Sequence, residues 1–247
     1  VLDGLSELEG ARLAACAKGH ADDDLDRLRN HSAATNETRY FDEFRRMLDE
    51  ERLDIVGVCR PYSLNAEATL AALEGGIHVI SEKPVATNLE DLTAVSAALA
   101  NSDARLSAMF SMRYYAAFEA AKDAVDAGWI GEPAIVTAQK SYRFGTRPDF
   151  YRSRDLYGGT IPWVGIHAVD YVGWTTGLDY VRVAALHGNK SHPAYPGCED
   201  HAALLFELSN GGSAVINIDY LRPDSAPTHG DDRLRIAGSD TKVQGRA

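Results

Sequence analysis

Short apolar runs alternate with longer amphipathic ones over the first 110 residues. Residues 12–17 are a compact apolar run after Gly10 and predict a buried strand. Residues 23–30 open on acidic side chains, as a helix N-terminus does. Phe41, Phe44 and Leu48 recur at helical spacing and predict a second helix. Residues 54–59 form another short β-branched run, and the Ala- and Leu-rich stretch 65–73 predicts a helix stopped at Gly75-Gly76. Residues 77–81 predict a third strand, closed by Pro84. Leu89, Leu92, Val95 and Leu99 mark another helical stripe, and residues 105–110 return to strand. Strands separated by helices imply βαβ units in a parallel sheet, with right-handed crossovers and helices on both faces.

After Arg113 the texture changes. Residues 115–127 predict a helix ending at Gly128, and strand-like runs follow at 134–142, 181–187, 201–208 and 213–220. Asn210-Gly211-Gly212 is a hairpin signal, and Gly238-Ser239-Asp240 predicts another between residues 234–236 and Val243. The expected architecture is therefore a Rossmann-like, doubly wound α/β domain over residues 1–112 and an α+β domain with a mostly antiparallel sheet over 113–247. The chain opens on Val1, inside or just before a helix, so a first strand and its glycine-rich turn are expected to precede it.

Composition narrows the partners. The 247 residues are 45% hydrophobic and 25% charged, which supports a sizeable core, and the formal charge is −11. So acidic a chain is repelled by phosphate backbones and anionic lipid, which argues against nucleic acid and membrane partners. No apolar stretch approaches the length of a membrane span. Cys16, Cys59 and Cys198 have no CxxC spacing, and the first two sit in apolar runs that read as buried strands. A reducing, cytoplasmic location is expected.

The first candidate for chemistry is the string His78-Val79-Ile80-Ser81-Glu82-Lys83-Pro84. It places Lys83 just beyond the C-terminal end of a parallel strand, where open α/β sheets bind ligands, and Pro84 restricts the direction of Lys83. An ordinary Glu82–Lys83 surface pair is the alternative. The second candidate is the helix after Gly158-Gly159, in which Trp163, His167, Asp170 and Trp174 share one face. Asp170, one turn from His167, is placed to orient the imidazole as a general base requires. A half-buried His satisfied by Asp170 is again the alternative. The segment before the double glycine mixes Lys140, Tyr142, Arg143, Arg147, Tyr151, Arg154 and Tyr157, which suits a sugar, polyol or carboxylate ligand. Cys198-Glu199-Asp200-His201 holds four metal-ligating types, but consecutive strand residues face opposite ways, so no metal is expected.

Taken in order, HVISEKP, MRYYAAF, GWIGEP and GG-x4-GIHAVD-x3-WTTG resemble the nicotinamide-dependent family named for glucose-fructose oxidoreductase and inositol dehydrogenase (Gfo/Idh/MocA). The resemblance runs over nearly the whole chain. It implies NAD or NADP as cofactor and hydride transfer with a secondary alcohol or ketone of a sugar, polyol or similar small substrate. It also implies a homo-oligomer built through the C-terminal sheet. Lys83 and His167 would be the catalytic lysine and histidine, with Asp170 supporting them, facing each other across a crevice between the domains. Lys18, Arg60, Pro61, Asn65, Glu82, Lys83 and Arg113 would lie on the cofactor. Tyr142, Arg154, Tyr157, Trp163 and His167 would lie on the substrate. Three positions depart from the family pattern. Ala17-Lys18 stands where an Asp often grips the ribose, which leans toward NADP; Arg60-Pro61-x3-Asn65 replaces T-P-x3-H; and Trp163 replaces the carboxylate four residues before the histidine. Two other classes remain open: a catalytically degenerate ligand-binding or regulatory member, and a metal-assisted hydrolase on His167 and His201.

Overall fold

The computed structural model describes residues 2–20, 23–240 and 242–246. The chain divides into two compact units, residues 1–109 and 110–247.

In the first unit the elements run α1 (Leu2–Leu5), β1 (Ala15–Ala17), α2 (Asp26–Arg29), β2 (Arg39–Phe41), α3 (Phe44–Glu50), β3 (Ile55–Val58), α4 (Asn65–Glu74), β4 (His78–Ser81), α5 (Leu89–Ala100) and β5 (Leu106–Ala108). Val1, with which the expected first helix begins, lies outside the described residues. Every pairing is parallel: β1 with β2, and β4 between β3 and β5. This is the Rossmann-like arrangement that the alternating pattern predicts. The core is built from small side chains. Ala66, Ala68, Ala72 and Leu73 of α4 pack on Val56, Val58 and Val79 of the strands, so the helix lies close against them.

Three expectations change here. Phe41 closes strand β2 opposite Ala17 rather than opening a helix, and α3 starts at Phe44. One aromatic at i and another at i+3 mimic a helical stripe even when a strand ends between them. Along α5, Val95 is buried while Leu89 and Leu92 are exposed, so half of that stripe covers nothing. Cys59, expected inside a strand, lies beyond β3 and is exposed, whereas Cys16 is buried.

The second unit contains α6 (Ala116–Asp126), β6 (Pro133–Tyr142), α7 (Arg154–Tyr157), α8 (Ile166–Thr176), β7 (Tyr180–Gly188), β8 (His201–Leu208), β9 (Ser213–Asp219), β10 (Gly230–Gly238) and β11 (Lys242–Arg246). The six strands form one sheet in the order β11-β10-β6-β9-β8-β7. Only β6 and β9 pair in parallel; the other neighbours are antiparallel. Residues 210–212 turn β8 into β9, and Ile236 of β10 lies opposite Val243 of β11, as both hairpin signals predict. Burial alternates along β8 and β9 with the period of two that a one-sided sheet imposes.

Helix α8 is seated by Ala168, Tyr171 and Val172, all fully buried. The Tyr171 ring packs 4.5 Å from that of Phe118 on α6, and its hydroxyl donates to the Gln139 carbonyl of β6 at 3.0 Å. A π turn at Ile161–Gly165 leads into α8, and a Cβ on Gly165 would collide with Ile218 of β9. The glycine thus sets how closely the start of α8 approaches the sheet. Among the described residues no helix is long and apolar enough to cross a membrane.

Candidate active site

In the first unit, the loops that follow β1, β3 and β4 are tied to one another at the C-terminal ends of parallel strands. The Arg60 Nε donates to the Gly19 carbonyl at 2.9 Å, and its Nη1 donates to Glu67 Oε2 at 2.8 Å. Asn65, fully buried, accepts from the Arg60 amide at 3.0 Å and donates to the carbonyls of Glu82 (3.3 Å) and Pro84 (3.0 Å). A Cβ on Gly19 would approach the Cys59 carbonyl to 3.0 Å, so a side chain there would push these loops slightly apart. Lys83 is buried on this ledge, its Nζ 4.0 Å from Glu82 Oε1 and its amide donating to the same oxygen at 3.1 Å. Burial raises the Glu82 carboxyl above its ordinary range, and the Lys83 charge pulls it partly back. The ledge of loop backbones, carboxylate and ammonium fits the ribose and nicotinamide portion of a dinucleotide. Residues 1–17 carry no G-x-G-x-x-G, so this fit concerns that portion alone.

Of the residues expected on the cofactor, Glu82 and Lys83 belong to this ledge, Arg60 and Asn65 tie its loops together, and Pro61 follows Arg60 in the loop after β3. Lys18 lies after β1 and pairs with Asp42 at 2.9 Å, an exposed contact. Arg113, expected on the cofactor, belongs to the second unit's residues and grips both oxygens of Asp170, at 2.9 and 2.5 Å. That fork also corrects the role expected of Asp170. Its carboxylate is committed to a guanidinium, which the hydrogen bond keeps firmly charged, rather than reserved for His167.

In the second unit a pocket of about 380 Å³ is lined by His167, Tyr115, Lys140, Tyr142, His229 and Asp232, with Ser111, Met112, Thr228 and Gly230 completing it. That volume falls within the roughly 300–1,000 Å³ of small-molecule sites. His167 is buried on the first turn of α8 with its ring perpendicular to that of Phe110, 6.3 Å between centroids. Lys140, 2% exposed, donates to Asp232 Oδ2 at 2.8 Å and to the Met112 sulfur at 3.1 Å. Burial pushes the ammonium down and the carboxyl up, while each partner opposes the other's shift. The His229 ring stacks on Tyr142 at 4.8 Å; burial lowers its pKa, so at neutral pH it is an uncharged wall. Burial likewise keeps the Tyr142 phenol protonated.

Tyr142 and His167 of the expected substrate set therefore line this pocket, and Trp163, Arg154 and Tyr157 do not. Trp163 lies on the π turn, so the single α-helical face expected for Trp163, His167, Asp170 and Trp174 begins only after it. Tyr157 is fully buried, its hydroxyl bonded to Thr160 and Tyr220, which makes it core. Arg154 is paired with Glu199. Asp232 and His229 escaped sequence reasoning altogether. Asp232 stands directly across from Lys140 in the β10–β6 register, a relation between residues 92 apart that no local pattern reveals.

Residues 12–110 match the oxidoreductase family with an NAD-binding Rossmann fold, and residues 118–244 match the GFO/IDH/MocA C-terminal domain. An inositol 2-dehydrogenase of Streptomyces avermitilis is 27% identical over 217 residues, 87% of this chain and 60% of that protein. A D-glucoside 3-dehydrogenase of Escherichia coli is 29% identical over 188 residues, 70% of this chain and 53% of that protein. Among solved structures, a candidate oxidoreductase from Thermotoga maritima superposes with a TM-score of 0.93 at 39% identity, covering 99% of this chain and 75% of that one. The chain spans about half the length of the curated relatives it matches.

Proposed function

The chain belongs to the GFO/IDH/MocA oxidoreductase family, and from that membership we propose that it is an NAD(P)-dependent dehydrogenase of a secondary alcohol on a sugar or polyol. The observation that carries this reading is the polar pocket around His167, on a chain whose other unit presents Lys83 at the end of a parallel strand. A bound nicotinamide supplies the hydride acceptor. His167 takes the hydroxyl proton, and Lys83 is the second catalytic group, its ammonium suited to stabilising developing negative charge. The inositol and glucoside dehydrogenases among the relatives support a polyhydroxylated substrate. In the test, NAD or NADP is mixed with myo-inositol or a methyl glucoside, and the near-ultraviolet absorbance of reduced nicotinamide rises with time. Absence of turnover with every polyol tried, alongside tight NADH binding, would select a second reading. That reading, a ligand-binding member without catalysis, is favoured by Trp163 at the position of the family's carboxylate.

We keep the lean toward NADP on Lys18. Its partner Asp42 is largely solvent-exposed, and exposed ion pairs exchange partners readily, so a 2′-phosphate can displace the carboxylate. Lys18→Ala is expected to weaken NADPH several-fold and leave NADH unchanged in a nicotinamide fluorescence titration. Equal effects on the two cofactors remove the preference. We also propose self-association through the C-terminal sheet, whose edge strand β7 and neighbour β8 leave Val181, Val183, Leu186 and Leu205 exposed.

A further inference from the structure

One oxygen in the His167 pocket lacks what a buried carboxylate ordinarily has. Asp232 Oδ2 is held by Lys140 at 2.8 Å, but Oδ1, buried, accepts no hydrogen bond among the described residues. Buried acceptors of this kind are uncommon, because losing water without gaining a donor costs free energy. Asp232 lines the pocket and its side chain keeps 13% of its exposure, almost none of it at Oδ1, so a turn of the carboxyl is what brings that oxygen to an occupant's donor. The carboxyl torsion is broad, and a small turn brings Oδ1 to a ligand hydroxyl while Oδ2 stays on Lys140. The ammonium is already engaged by Asp232 and the Met112 sulfur and stands 4.7 Å from the Tyr142 ring centroid, so it offers little to an incoming anion. The stacked Tyr142–His229 wall adds a flat apolar face next to this acceptor, the combination that a sugar or cyclitol ring with its C–H face and equatorial hydroxyls fills.

We propose that Asp232 is the specificity-determining residue of this pocket: positioned by Lys140, it receives a substrate hydroxyl and restricts the site to neutral polyols, excluding sugar acids and sugar phosphates. The assignment rests on the sugar or polyol reading above and sharpens it. A carboxylate oxygen facing the ligand welcomes a donor and repels a second anion, so it selects by charge as well as by shape.

Calorimetric titration with myo-inositol and with D-glucuronate tests it. The wild-type chain is expected to bind myo-inositol at least about 10-fold more tightly than D-glucuronate. Asp232→Asn keeps a carbonyl for Lys140 and turns an amide donor into the pocket. It is expected to weaken myo-inositol by about 10- to 100-fold, the loss of a hydrogen bond to a charged group, and to shrink the discrimination against D-glucuronate. Should that variant fold poorly, the charge-free pair Lys140→Met/Asp232→Leu removes both buried charges together and is expected to lose myo-inositol to the same degree. Wild-type affinity for myo-inositol in either variant, D-glucuronate bound as tightly as myo-inositol, or no binding of either by the wild type each overturns the assignment. Oxidation of polyols, read from reduced nicotinamide, judges the hydride-transfer reading separately. A chain that oxidises myo-inositol while Asp232→Asn binds it unchanged keeps that reading and loses this one.

Discussion

Lys83→Met is expected to lower turnover by about 10²–10⁴-fold with the fold retained. Methionine preserves most of the buried stem and removes the ammonium alone, so the loss reports the missing charge rather than a cavity. The ledge should keep its shape, because Arg60 and Asn65 tie its loops together. A second consequence is electrostatic. Burial raises the Glu82 carboxyl, and Lys83 is the largest influence pulling it down. Without that charge the carboxyl rises further, so the folded protein holds the Glu82 proton more tightly than the unfolded chain. A group raised in this way stabilises the fold below its unfolded pKa and loses that contribution as pH climbs through its folded pKa. The unfolding temperature of Lys83→Met is therefore expected to fall more steeply than the wild type's as pH rises from the acid range toward neutrality. Initial rates and thermal scans across pH check both statements; wild-type turnover in the variant removes Lys83 from the chemistry.

What was legible in the sequence was whatever depends on neighbours along the chain. The strand at His78–Ser81, the alanine-rich helix at Asn65–Glu74 and the hairpin at residues 210–212 follow from periodicity and turn residues within about ten positions. The strand at Arg39–Phe41 was hidden because three residues pairing with a distant partner leave no period of their own. The same distinction divides the site. His167 stood out through its motif, and Lys83 through its place after a strand. Their surroundings did not. Asp170 is one helical turn from His167, yet Arg113, 57 residues away, claims it with a planar fork that an imidazole cannot match. Lys140 and Asp232 meet only because β6 and β10 pair in one particular register. Tyr157 reads as a binding aromatic in sequence and is core in the structure, since tyrosines suit a hydrogen-bonded interior as readily as a pocket wall.

Asn65→Ala carries the second large expectation, and it concerns stability before affinity. The side chain is fully buried and makes three hydrogen bonds that join the loop after β3 to the loop after β4. Alanine leaves the Arg60 amide without its acceptor and the Pro84 carbonyl without its donor, while the Glu82 carbonyl keeps the Ser81 hydroxyl at 3.0 Å, and a void opens where the amide stood. Unsatisfied buried groups cost about 1–3 kcal/mol each, partly relieved by relaxation and entering water, so a total of about 2–4 kcal/mol is expected. In a unit of this size that lowers the unfolding temperature by about 10 °C or more. Asn65→Asp separates the contributions: it still accepts from the Arg60 amide but cannot donate to the carbonyls of Glu82 and Pro84, and it brings a charge into a dry position. Its loss should therefore be at least as large. Both variants should also bind dinucleotide more weakly, because the Arg60-Pro61 and Glu82-Lys83 loops lose their common brace. The order of effects decides what Asn65 is. A brace loses stability with no cofactor present; a residue that touches the cofactor loses affinity while the cofactor-free protein melts where it did before. Thermal scans with and without NADH, set beside a fluorescence titration, distinguish the two, and an unshifted melt in Asn65→Ala would return this side chain to the cofactor contact that its sequence motif first suggested.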